Sequence, residues 1–229
     1  MDKKIKLITA TVRPAMFASN MNEWKIQCED WNNVDLTVAV NTLEEKLLIE
    51  EMFEEAKVIA IGDNIGVVKP IFEITKTLDI GDDDILLAMF DDVACIKNWD
   101  VYIKSQFEDY TGSILLNDGI QDPITRGLIA ITMPIMDGRT LKKLNRIIYH
   151  PEYMHYYADN EVYSNLLELG LIKDIRRDDV TTFQHLHYYG VNRRKADSID
   201  HEIIAKCGSP DRAIFDKRMK LSVKERLVI

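Results

Sequence analysis

Cysteine is scarce: Cys28, Cys95 and Cys207 are the whole supply in 229 residues. The count is odd, the spacing is wide and no Cys-x-x-Cys pair occurs. That argues against a disulfide framework or a thiolate zinc site and for free thiols in a reducing cytoplasm. Long apolar runs are missing too, since no stretch of 18 apolar residues appears, and the expectation is no membrane span. The opening "MDKKIKLITATV" is positively charged, but its apolar run is short and interrupted, so it reads as a first strand rather than a signal peptide. No internal repeat, low-complexity tract or interdomain linker stands out. Positive charge is in deficit, at a net −9 for the chain. Residues 1–200 hold 22 Lys and Arg against 34 Asp and Glu, and residues 201–229 hold 7 against 4. An acidic body is a poor holder of nucleic acid through its phosphates. A local basic edge is still available from Arg176 with Arg177, from Arg193, Arg194 and Lys195, and from Lys217, Arg218 and Lys220.

Apolar residues are plentiful, at 46%, which is enough for one sizeable α/β core in a chain of this length. "IKLITATV" is a β-branched, apolar run broken at Arg13 and Pro14, and reads as strand 1. "MNEWKIQCEDW" has helical character, and "VDLTVAVN" is a second strand. Thr42 with Glu45 three residues on forms a capping box. It opens a helix whose apolar positions Leu43, Leu47, Leu48, Met52 and Phe53 define the expected core face. "KVIAIGDN" is strand 3. "VVKPIFEITKTL" is a helix with Pro70 in its first turn, where proline is tolerated. "DILLAMF" is strand 4, apolar throughout, as expected of a strand covered on both faces.

Alternating strands and helices predict an open, mostly parallel α/β sheet, in which ligands gather at the carboxyl ends of the strands. Three stretches fall there: Thr11 to Arg13 after strand 1, Gly62 to Asn64 after strand 3, and Asp91 with Asp92 after strand 4. The denser acidic run Asp82, Asp83, Asp84 precedes strand 4, so it belongs to the opposite end and reads as a solvated turn. Trp99, in "KNWD", is read as helix-to-sheet packing ahead of ligand stacking. Further on, "SILLNDG" and "LIAITMPI" look like strands, and "RTLKKLNRII" and "NEVYSNLLELG" like helices, the latter capped at Gly170. "VTTFQHLHYY" is a late strand on which His185 and His187 share a face. "DRAIFDKRMK" is a helix within a polar tail.

In this order the motifs resemble the family-2 glycosyltransferases, which transfer a sugar from a nucleotide-sugar donor on a GT-A fold. "LITATVRP" is similar to that family's first strand, and "IGDNIGVVKPIFEITK" to the loop and helix before its metal motif. "ILLAMFDDV" is similar to the strand running into its Asp-x-Asp motif, "YYADNEVYSNLLELG" to the acidic segment that carries its base, and "TTFQHLHYYG" to its late histidine strand. The match covers roughly residues 5–190. It departs at Asp91-Asp92-Val93, where Asp-x-Asp is usual.

The resemblance implies a GT-A-like domain over residues 1–195, with a nucleotide-sugar half at 1–100 and an acceptor half at 101–195, followed by a helical tail at 196–229. It implies an inverting hexosyltransferase of the small kind also found in phages, using a UDP-sugar and a divalent cation, manganese or magnesium. Asp92 is the favoured metal ligand, with His187 or His185 completing the site and Asp91 aimed at donor hydroxyls. Asp159 is the implied general base and Glu161 the reserve. Thr11, Arg13, Asp35, Asp63 and Lys69 are the implied donor contacts. The acceptor is a saccharide or a hydroxymethylated base in DNA. A non-catalytic nucleotide- or sugar-binding module on the same fold is the competing reading.

Overall fold

The computed structural model describes residues 3–62, 66–119, 130–176, 183–186 and 195–229. The first half alternates as expected. The strands are β1 (Ile5–Ala10), β2 (Val34–Val40), β3 (Lys57–Ala60) and β4 (Ile85–Phe90), and between them run α1 (Pro14–Ile26), α2 (Leu43–Met52) and α3 (Val68–Thr77). A two-residue β5 (Val93–Ala94), α4 (Trp99–Gln106) and β6 (Ser113–Leu115) follow. Then come β7 (Ile135–Asp137), α5 (Gly138–Lys143), α6 (Ala158–Glu168), β8 (Ile172–Asp174), β9 (Gln184–His185), α7 (Ser198–Arg218) and α8 (Val223–Arg226).

Seven strands form one sheet in the order β3-β2-β1-β4-β7-β6-β8. Strands β3, β2, β1 and β4 are mutually parallel; β7 alone runs against its neighbours β4 and β6. The carboxyl ends of β1, β4 and β6 therefore open on one edge. Alternation along β4 explains its unbroken apolar run. Ile85, Leu87 and Met89 enter the core under α1, α2 and α4, while Leu86 and Ala88 enter the core under α3, α5 and α6.

The Thr42 capping box forms in both directions: Glu45 N donates to Thr42 Oγ1 at 3.1 Å and Thr42 N to Glu45 Oε2 at 2.9 Å. The helix it opens does not bury the face expected. Leu43 and Leu47 are 72% and 68% exposed, and Leu48 and Met52 are also exposed. Of the expected positions Phe53 alone is buried, and together with Ile49 it holds this segment to the core. The apolar residues run right round this helix, so periodicity alone picked the wrong side.

Two further expectations shift. Described residues 130–134 of "LIAITMPI" are not strand, and pairing begins at Ile135. The helix expected over "DRAIFDKRMK" is the end of a 21-residue helix, α7, opened by its own capping box between Asp197 and Asp200 and packed on the domain through Cys207, Asp211 and Arg218, with α8 after it. Trp99 is fully buried, its ring 4.9 Å from that of Trp24, and Nε1 donates to Trp24 O at 2.8 Å, so it packs the fold. Asp100 is equally internal, accepting from the backbone N–H of Glu29 and Asp30. Asp82 and Asp83 pair with Lys142 and Arg139 at the opposite edge of the sheet, in an exposed turn.

Candidate active site

The chain leaves β1 at Thr11, whose hydroxyl donates to Asp91 Oδ2 at 2.8 Å and accepts from Arg13 N at 2.9 Å. One short loop thus fixes the first of the two carboxylates behind β4. Asp91 and Asp92 are both buried, unlike the acidic turn before β4. Asn20 and Trp24 of α1 donate to Val93 O, each at 2.7 Å, holding the turn that carries them.

Asp92 meets the late strand. Its carbonyl accepts from Leu186 N at 2.8 Å, and its Oδ1 lies 3.1 Å from His185 Nε2. The β5–β9 ladder makes this contact, pairing Val93 with His185 and Ala94 with Gln184. One carboxylate oxygen and one imidazole nitrogen stand side by side, a donor set suited to a divalent ion such as manganese. Among the described residues no cluster of three potential ligands occurs. His187 and Asp63 lie outside the described residues, as do Arg177, Arg193 and Arg194 of the expected basic edge.

The base candidate is in α6, and its carbonyl accepts from Ile131 N at 3.2 Å. Asp159 is partly buried in the first turn of α6, and its Oδ1 accepts from Asn160 N at 3.0 Å. Burial first, and then the charge of Asp118, push its carboxyl above the ordinary aspartate value, while His185 pulls it back. Asp118 and Asn117, both buried at the end of β6, escaped the sequence reading. The signal was there: "SILLND" is an apolar run ending in a carboxylate, the same signature as "LLAMFDD". Asp118 accepts from Thr132 Oγ1, and its carbonyl accepts from His185 N at 2.9 Å. It therefore ties β9 to the end of β6 and to Thr132.

Helix α7 is a clamp on the segment leading to Asp159. Asp211, fully buried, accepts from three consecutive backbone N–H groups, those of Met154, His155 and Tyr156, at 2.9, 2.8 and 2.7 Å. One turn on, Phe215 stacks on Tyr157, a residue at φ 64, and Arg212 lies over the same ring. Another turn on, Arg218 grips Glu161 with two bonds of 2.9 and 2.8 Å, and Tyr153 adds a third at 2.7 Å. A left-handed tyrosine is strained and persists where its surroundings fix it. Gly66, at φ +82, lets the segment lie close, since a Cβ there would stand 2.2 Å from Met154 O.

Several implied roles are corrected by these positions. Glu161 is the anion of a buried ion pair with Arg218 and is not available as a base; the same pair removes Arg218 from the basic edge. Asp35 lies at the start of β2, in register with Lys6 and bonded to it at 2.7 Å. That is the sheet edge away from the cleft, so Asp35 is no donor contact. Arg13 is not a free phosphate ligand either. It bonds Asp197 and Asp200 of α7 at 2.8–3.2 Å and lies 3.7 Å from Asp91, joining the β1 loop to the clamp. Lys69 is exposed in the first turn of α3. Removing one partner of a buried pair strands the other charge, which costs roughly 3–5 kcal/mol. Glu161→Ala is accordingly expected to lower unfolding free energy by about that amount, read as a denaturant midpoint, through Arg218 rather than through chemistry.

No family model and no curated protein sequence matches the chain. Solved structures do. TarS 1–349 from S. aureus in complex with UDP-GlcNAc matches at TM-score 0.65 and 13% identity, over 97% of this chain and 69% of that one. The mannosyltransferase PcManGT from Pyrobaculum calidifontis, in complex with GDP-Man and Mn2+, matches at TM-score 0.62 and 9% identity, over 99% and 72%. A 4-diphosphocytidyl-2C-methyl-D-erythritol synthase from Anaerococcus prevotii matches at TM-score 0.52 and 9% identity, over 89% and 97%. The chain spans 60% of another TarS 1–349 structure and 41% of the longer TarS chain. These likenesses define the class of fold: a GT-A-like α/β domain with a seven-stranded, mostly parallel sheet flanked by helices. No helix among the described residues is long and apolar enough to cross a membrane.

Proposed function

We propose that the chain is a metal-dependent, inverting glycosyltransferase that moves a hexose from a nucleotide-sugar, a UDP-sugar in the first instance, to an acceptor hydroxyl. The observation that carries this reading is the pairing of Asp92 with His185 at 3.1 Å behind β4, with the carboxyl of Asp159 near enough for the charges of His185 and Asp118 to act on it. The fold likeness adds support, because TarS and PcManGT were solved with nucleotide-sugars. Fold alone does not carry it, since the erythritol synthase shares the architecture.

Asp92 and His185, with His187 as a further candidate, would hold the cation. The bound ion would supply Lewis acidity against the charge that builds on the departing diphosphate. Asp91 is held by Thr11 and Arg13 so that it lines the donor side of the same turn. Lys69, exposed at the start of α3, would contact phosphate. Asp159 takes the proton of the attacking acceptor hydroxyl, and burial raises its pKa, which makes it a stronger base than an ordinary aspartate. A single base opposite the leaving group gives inversion at the anomeric carbon. A pure binding module would use Asp92 and His185 but has no need of Asp159. The acceptor is a saccharide or a hydroxymethylated base in DNA, and the acidic body favours the saccharide.

The test is release of nucleoside diphosphate from UDP- and GDP-sugars with manganese, in the presence of saccharide or hydroxymethylated DNA acceptors. Metal-dependent release that chelation abolishes is the expected result. Absence of release from every donor and acceptor pair contradicts the reading.

A further inference from the structure

Residues 150–157, which lead into α6 and Asp159, belong to no strand and no helix. No ladder fixes their course, and one carboxylate does so instead. Asp211, fully buried within α7, accepts from Met154 N through Oδ1 and from His155 N and Tyr156 N through Oδ2. Hydrogen bonds to carboxylate oxygens are the stronger kind. The far side of the same stretch is closed by the chain entering α3. A Cβ on Gly66 would overlap Met154 O, and Val68 N donates to that carbonyl at 3.4 Å.

The hold continues on both sides of Asp159. Phe215 and Arg218 follow Asp211 at helical spacing, so the three share one face of α7. Phe215 stacks on Tyr157, the left-handed residue that caps α6, with ring centroids 5.4 Å apart, and Arg218 bonds Glu161. That face therefore grips the chain at Tyr156 and Tyr157, just before Asp159, and at Glu161, just after it. From another direction Ile131 N bonds the Asp159 carbonyl at 3.2 Å. The strain at Tyr157 persists because these contacts over-determine it, and strain of this kind clusters beside working groups. A base must stand within hydrogen-bond reach of the proton it takes, and a misplacement of about 1 Å caused by a distant change costs on the order of 100-fold.

We propose that Asp211 is a positioning residue for the transfer reaction: by pinning residues 154–156 it sets where α6 begins, and so where the Asp159 carboxyl stands. α7 then serves the chemistry as well as the fold. This rests on the functional reading given above, and the experiment separates the two. Asp211→Ala and Asp211→Asn are made in wild type and in Asp159→Asn. Asp100→Asn is the control, because Asp100 is also buried and also accepts from consecutive backbone N–H groups, those of Glu29 and Asp30 in the turn after α1. With the donor and acceptor that wild type uses, in manganese, kcat and donor KM are read by diphosphate release. Calorimetry gives Kd for the bare diphosphate, and the melting transition sets an assay temperature at which each variant is folded.

Asp211→Ala is expected to lower kcat roughly 10- to 100-fold while donor KM and diphosphate Kd stay within about twofold. Asp211→Asn, which keeps one oxygen for part of the set, loses less. In the Asp159→Asn background the same substitutions are expected to cost less than about twofold, because a residue that acts through the base has nothing left to position. Asp100→Asn lowers the melting temperature and leaves kcat within about twofold of wild type. An unchanged kcat in folded Asp211→Ala overturns the proposal. An equal loss in both backgrounds, or the same loss in Asp100→Asn, overturns it too, since either outcome leaves Asp211 a purely structural role. If Asp211→Ala does not fold, Asp211→Asn and Phe215→Leu, which removes the ring stacked on Tyr157, carry the same comparison between backgrounds. Full activity in Asp159→Asn, or no turnover in wild type, defeats the functional reading, and this inference with it.

Discussion

Asp159→Asn is expected to cut turnover by roughly 100- to 10,000-fold, the range that a positioned general base contributes. The change is close to isosteric and keeps an oxygen in place to accept the Asn160 N–H, so the first turn of α6 should survive. Donor affinity should not move, because the proposed metal-holding pair is Asp92 and His185. The pH profile supplies a second readout. The carboxyl works only when ionised, and burial together with Asp118 raises its pKa above the ordinary 3.8. Activity in the wild type therefore climbs with pH through a value above 3.8, and that acid limb should vanish from the residual activity of the variant. Removing a base while keeping the binding site is also what separates an enzyme from a binding module on the same fold. A variant with full activity would assign the base elsewhere.

Asp92→Asn is the second large effect. An asparagine still hydrogen-bonds but brings no charge to a divalent ion. Lewis-acid assistance to a phosphoryl leaving group is worth several kcal/mol, and each 1.36 kcal/mol is tenfold in rate, so the loss is on the order of 100- to 1,000-fold or more. Unlike Asp159→Asn, this variant should lose donor binding along with turnover, and excess manganese should recover part of it. The two substitutions then give opposite patterns: one keeps binding and loses chemistry, the other loses both. Such a split is difficult to obtain from general destabilisation, which lowers both together.

The parts of this molecule that could be read in its sequence are those where side-chain chemistry and strand periodicity agree. β1 and β4 are apolar on both faces because helices cover both, and that made their carboxyl ends, and hence Asp91 and Asp92, easy to place. The greater acid density of Asp82, Asp83 and Asp84 was no guide, because position at a strand end counts for more than charge. Elsewhere the cues were weak. α7 is held by Asp211, Arg218 and the Asp197–Asp200 pair, polar residues whose partners lie far away in the chain. No local pattern marks such a helix as part of the domain, so it passed for a tail. Glu161 looked like a base for the same reason: its true partner, Arg218, is 57 positions away. α2 failed in the other direction, having more apolar residues than one face can bury.

The central claim is that Asp92 and His185 form a platform for a metal-bound nucleoside diphosphate. The direct measurement is the melting temperature with UDP or GDP, with and without manganese, in wild type and in Asp92→Asn. A ligand that binds only the folded state at 100 times its Kd adds about 2.7 kcal/mol. For a domain of this size that is a rise of roughly 5–10 °C. The account predicts that rise in wild type only when diphosphate and manganese are both present, and its loss in Asp92→Asn. No rise with either diphosphate, or an equal rise without metal, would contradict it.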